Sequence, residues 1–165
     1  MLIHFSVPVL IAVNIIAWLL FHLGFAALAT ALPLRLFPAD GRLCRERRWE
    51  MDGRIYEKLF GIKRWKHLLP EGADLLGAGF RKGRLERRDA AYLRRFYRET
   101  CRAEFAHWWV WLSGWLFFLW NPGWAGWVMA GYASLANAPC ILAQRYNRLR
   151  LRRVFRRWKN LDSAG

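Results

Sequence analysis

The chain has 165 residues, 27 Lys and Arg against 12 Asp and Glu, and a net charge of +15. Its mean hydropathy is close to zero, but only because very apolar and very basic segments cancel. Residues 1–34 and 105–144 carry no Lys, Arg, Asp or Glu. A basic chain with uncharged stretches of that length faces anionic lipid rather than nucleic acid, so DNA or RNA binding is set aside.

Residues 5–32 read as a first transmembrane helix, interrupted only by Asn14 and His22. About twenty apolar residues suffice for a span. The segment lacks a basic leader, and its apolar run is too long for a signal peptide core, so it is read as retained.

Residues 34–104 form a basic loop, with 19 basic and 11 acidic residues over 35–106. Gly and Pro punctuate it up to residue 88, with a short strand or interfacial helix expected within 42–60. The run Trp65-Lys66-His67-Leu68-Leu69-Pro70 mixes aromatic and cationic side chains, as a segment at headgroup level does. Asp89 is placed to cap a helix that starts amphipathic and enters the bilayer near Phe105. Residues 105–120 make the second span, Asn121-Pro122-Gly123 breaks it, and 124–143 make the third. Seven Trp between 108 and 127 suit a hairpin whose ends approach the membrane surfaces. Residues 144–165 are a basic tail, expected as a helix along the membrane surface. The positive-inside rule puts loop and tail in the cytoplasm of a bacterial cell and the N-terminus outside. The expected fold is therefore all-α: a polytopic membrane protein of one domain, with three spans, a basic cytoplasmic lobe and an amphipathic helix. A re-entrant hairpin over 105–143 satisfies the same charge pattern.

Three cysteines, Cys44, Cys101 and Cys140, show neither a disulfide framework nor zinc-ligand spacing, and no metal site is expected. Glu104 and His107 are three apart on one helix face, where amphipathic sequence meets apolar sequence. A histidine beside a carboxylate can take a proton near neutral pH, and an ordinary border pair would look the same. Gln144-Arg145-Tyr146-Asn147-Arg148 follows the third span; its arginines can grip phosphate or carboxylate, or simply anchor the helix. Lys66 can stabilise an anion, and His67 is a second candidate base. Asn14, Asn121 and Asn137 are costly in hydrocarbon unless they pair with other helices.

The run Arg54-Ile-Tyr-Glu-Lys-Leu-Phe-Gly-Ile-Lys-Arg-Trp-Lys-His-Leu-Leu-Pro70, then Arg98-Glu-Thr, Glu104 with His107, Asn121-Pro122, Asn137-Ala-Pro139 and the Gln144–Arg148 block resemble the glycosyl-4,4′-diaponeurosporenoate acyltransferases in order and overall length. The resemblance covers about 50–150. It implies a membrane O-acyltransferase that esterifies a sugar hydroxyl of a glycosylated carotenoid acid, with acyl-CoA or acyl carrier protein as donor and no other cofactor. Lys66, Glu104, His107, Asn121, Asn137, Gln144, Arg145, Asn147 and Arg148 are its motif positions here. We assign His107 as base, Glu104 as its orienting carboxylate, and the other seven to substrate binding. The alternatives are an acyltransferase for another glycolipid and a non-enzymatic scaffold or lipid-binding protein.

Overall fold

A computed structural model describes residues 5–38, Gly41, 44–69 and 90–162, with side chains as far as Arg153. Every regular element among them is helical. Helix α1 is Val7–Ala31, and a 3-10 turn follows at Leu34–Leu36. The lobe consists of a 3-10 segment Arg48–Gly53, α2 at Arg54–Phe60, α3 at Ile62–Trp65 and a 3-10 turn Lys66–Leu68. Helix α4 spans Ala90–Ser113 and tightens into 3-10 geometry over Gly114–Leu119. Helix α5 runs unbroken from Gly123 to Asp162. The Asp89 cap lies outside the described residues.

The three long helices pack up, down and up. On the α1–α4 seam Trp18 stacks on Phe117, with centroids 4.5 Å apart, and Phe25 stacks on Trp109. Gly114 lets the layers close: a Cβ there would stand 2.6 Å from the Ala133 Cβ of α5 and 3.6 Å from the Trp18 ring. At the far end Asn14 and Asn121 exchange two 2.9 Å amide hydrogen bonds, and Trp120 donates to Asn14 at 2.8 Å. The buried amides thus satisfy one another across helices, as a low-dielectric interior demands.

One described helix, α1, is long and apolar enough to cross a bilayer, and it leaves most of its surface outward. Of the three spans expected, this one meets that measure. The second gives up α-helical geometry after Ser113, and Trp, Gly, Asn and Pro lower the mean hydropathy of the third.

Two expectations are corrected. The tail is not a separate surface helix: α5 carries straight past Gln144, roughly 60 Å for its 40 residues, and its continuation is the wall on which the lobe packs. Tyr146 and Leu149 are buried in one cluster with Tyr56 and Ile62. Tyr146 Oη donates to Glu57, Arg153 pairs with Glu57 and Arg152 with Glu46. The second correction is a disulfide between Cys44 and Cys101, 57 residues apart with Cα atoms at 5.6 Å. Sequence spacing carries no mark of it, because the fold brings a loop cysteine onto α4. Both lie in a core cluster with Phe37, Leu93, Phe96 and Leu151.

Closing so long a loop restricts the unfolded chain, so Cys44→Ser with Cys101→Ser is expected to lower stability by about 2–4 kcal/mol. Denaturant melts of the double variant against the oxidised protein measure this. Equal midpoints would show that the link adds nothing.

Candidate active site

The lobe reaches its position through a strained turn. Met51 and Asp52 take left-handed backbone angles, φ 50° and 57°, and Gly53 follows at 84°. Such angles cost a non-glycine residue about 1–2 kcal/mol. The Asp52 amide donates to Glu46 Oε1 at 2.9 Å, which helps hold the turn. The reversal leaves Glu50 pointing inward, with no exposed surface.

Glu50 then accepts four hydrogen bonds: from the Arg47 amide, from Tyr56 Oη at 2.6 Å, and from Nε and Nη2 of Arg145. Burial alone would raise its pKa. The Arg145 guanidinium, the Tyr56 hydroxyl and the Arg47 amide outweigh that, and the carboxyl titrates below its ordinary range. For Tyr56 burial and the adjacent Glu50 carboxylate act together, and its pKa is raised.

Arg145 bridges two elements. Its Nη1 donates to Glu104 Oε1 of α4 at 3.0 Å, and its Nη2 to the Arg45 carbonyl at 3.3 Å. Glu104 also accepts Nη2 of Arg148, which has no exposed surface, and Trp108 Nε1 at 3.3 Å. Glu50, Arg145, Glu104 and Arg148 thus form one buried network of balanced charge. The Arg148 guanidinium lies over the Tyr97 ring, 5.9 Å from its centroid.

A cavity of about 720 Å³ opens above this network. Its walls are Trp49, Ile55, Leu59 and Phe60 of the lobe, Trp108 and Trp111 of α4, and Ser134, Ile141 and Leu142 of α5, with Arg47 at its edge. Tyr56, Glu104 and Arg145 add the polar groups. A mostly apolar cavity with a few converging polar groups suits a ligand with a greasy chain and a polar end.

The remaining motif residues lie apart from one another, except in two pairs. His107 stands one turn from Glu104 on α4, its Nδ1 3.1 Å from Asn137 Oδ1 of α5. Lys66 donates to Asn147 at 2.8 Å and lies over the Tyr146 ring. Burial, then the Arg150 charge, lowers the Lys66 pKa. The buried Oε1 of Gln144 has no hydrogen-bond partner among the described residues. Asn121 is bound to Asn14 at the opposite end of α4, roughly 25 Å along the axis from Glu104. His67 is exposed on the lobe.

The structure therefore brings Glu104, Arg145 and Arg148 together, keeps His107 and Asn137 adjoining, and sets Asn121 apart. Glu50, Tyr56 and the Arg47 rim were missed by sequence reasoning. Tyr56 lies inside the Arg54–Pro70 motif run; nothing local distinguishes Glu50 from the other ten acidic residues of the loop.

Comparison with known proteins gives the family. The family model for glycosyl-4,4′-diaponeurosporenoate acyltransferase matches residues 40–157, which includes every residue of the network and of the cavity. The chain belongs to this family. It is 30% identical over 139 residues to the glycosyl-4,4′-diaponeurosporenoate acyltransferases of Staphylococcus aureus strains USA300 and Newman, covering 84% of each chain. No solved structure matches it significantly. The protein is thus an acyltransferase, and the scaffold alternative falls away.

Removing one member of a buried ion network strands its partner's charge. Arg145→Met is expected to cost about 3–5 kcal/mol in denaturant unfolding. The Glu50 contribution is full above its unfolded pKa, near 4.5, and is lost as pH falls through the lower folded value. Melting curves from pH 7 down to 3 should show this loss, and Glu50→Gln should flatten it. An unchanged pH dependence in that variant would contradict the assignment.

Proposed function

We propose that the protein esterifies a sugar hydroxyl of a glycosylated carotenoid acid with a fatty acyl group, at the cytoplasmic face of a bacterial membrane. The observation that carries this reading is the cavity: an aromatic and aliphatic enclosure floored by Glu104 and Arg145, two of the family-like motif residues. Family membership supplies the reaction type.

In this reading 105–120 and 124–143 form a hairpin that joins α1 in the bilayer. Outward-facing Trp109, Leu112, Trp115, Trp124, Trp127 and Leu135 support it, since such a belt is costly in water. The basic lobe then lies in the cytoplasm. Deep burial of Cys44 and Cys101, 2% and 1% exposed, shields their link from cytoplasmic thiols.

The chemistry is acyl transfer from a thioester, either acyl-CoA or acyl carrier protein. His107 removes the proton of the sugar hydroxyl, whose oxygen attacks the thioester carbonyl carbon. The tetrahedral intermediate collapses with cleavage of the carbon–sulfur bond, and the imidazolium returns the proton to the leaving thiolate. Lys66 and the exposed Arg47 take the donor's phosphates. Most of Arg145's N–H groups are engaged by Glu50, Glu104 and the Arg45 carbonyl, so its part is to hold the cavity floor.

Purified protein in nanodiscs, given a glucosylated carotenoid acid and either thioester, should form ester detectable by mass spectrometry. His107→Gln should lower kcat by on the order of a hundredfold or more. Full turnover in that variant would remove His107 as base, and no ester from folded wild-type protein with either donor would sink the substrate reading. Leu142→Trp fills the cavity and is expected to shift preference toward shorter acyl chains; an unaltered preference would place the chain elsewhere.

A further inference from the structure

We propose that Asn137 is a positioning residue that decides which ring nitrogen of His107 carries the proton. The inference rests on the reading of His107 as the base.

Asn137 is buried, and its amide has a defined orientation. Its Nδ2 donates to the Ala133 carbonyl, 2.9 Å away and one turn back on α5. A reversed amide would set two carbonyl oxygens against each other at that distance. Oδ1 is therefore the atom turned toward α4, where it meets His107 Nδ1 at 3.1 Å. An amide oxygen can only accept, so this contact is a hydrogen bond only when Nδ1 carries the hydrogen. A neutral imidazole has a single N–H, which leaves the lone pair on Nε2. The atom that takes the substrate proton is then Nε2, and Asn137 continues to accept from Nδ1 once the ring is charged.

Spacing on α4 suggests Glu104 for this orienting part. In the structure its oxygens take the guanidinium groups of Arg145 and Arg148. The charges of those three are engaged with Glu50 and with one another. A neutral acceptor suits the place: Asn137 lies in an uncharged stretch of α5, where a carboxylate would carry a large desolvation cost. It orients the ring without adding charge.

The test uses the full chain in detergent micelles or nanodiscs, with histidine labelled by ¹⁵N. The chain has four histidines, and His107→Gln identifies the signal of His107. The expected spectrum of the neutral form shows a protonated Nδ1 and an unprotonated Nε2. Asn137→Leu should lose that signature and lower kcat on the order of ten- to a hundredfold, with KM changed less than about threefold. Asn137→Gln, which keeps a neutral amide acceptor, should recover part of the kcat. A wild-type His107 protonated at Nε2 would overturn the proposal, as would wild-type kcat in Asn137→Leu. The wild-type spectrum decides alone if that variant does not fold. Full activity of His107→Gln would instead defeat the base reading and leave the tautomer result standing.

Discussion

The structure depends on one buried interaction, the network of Glu50 and Glu104 around Arg145 and Arg148. Its four residues come from three stretches of chain: Glu50 from the lobe, Glu104 from α4, and Arg145 and Arg148 from α5 beyond the apolar segment. Burying four charges is costly, and their mutual attraction returns little beyond that cost. What the network supplies is register. A carboxylate with no exposed surface has few low-energy alternatives to the geometry that satisfies it. The lobe therefore docks in one place, and the apolar cavity acquires a polar floor at a fixed point. The left-handed turn at Met51 and Asp52 fits this account, because strained backbone persists only where surrounding contacts over-determine it.

Helix α4 carries a polar knot near each end of its apolar half. The Asn14–Asn121 exchange locks it to α1 without charge, and the ion network locks it to the lobe with charge. Each suits its surroundings: neutral amides can pair within an apolar bundle, while ion pairs need flanking donors and a border near water. His107 and Asn137 lie between the two knots, closer to the charged one. Helix α5 gives the whole its rigidity, since one unbroken element packs in the bundle and walls the lobe.

Much of this was legible in the charge map. Uncharged runs marked the long helices, and Asn121-Pro122 marked the turn between α4 and α5. The i, i+3 spacing placed Glu104 and His107 on neighbouring turns. The three asparagines read as costly unless paired do pair across helices, Asn14 with Asn121 and Asn137 with His107. What stayed hidden was every partner chosen at long range. Glu50 meets Arg145 across 95 residues and Cys44 meets Cys101 across 57; no local period encodes such a choice. The tail misled for a related reason. Its basic residues read as a membrane-facing surface, but Tyr146, Leu149 and Leu151 alternate with them at helical spacing and turn that segment into a wall of the lobe.

The cavity's size bears on how two greasy substrates share one site. Cavities of about 300–1,000 Å³ enclose ligands of drug size, and this one, at about 720 Å³, falls inside that range. We infer from that size room for one apolar chain with a polar end rather than for a long polyene and a fatty acyl chain together. In the proposed reaction the second chain then lies outside the enclosure, against the outward-facing tryptophans, and only the reacting ends meet over Glu104 and Arg145. That division removes the need for the protein to bury both chains. It also makes the polar floor, rather than the greasy walls, the part that sets where the new ester bond forms.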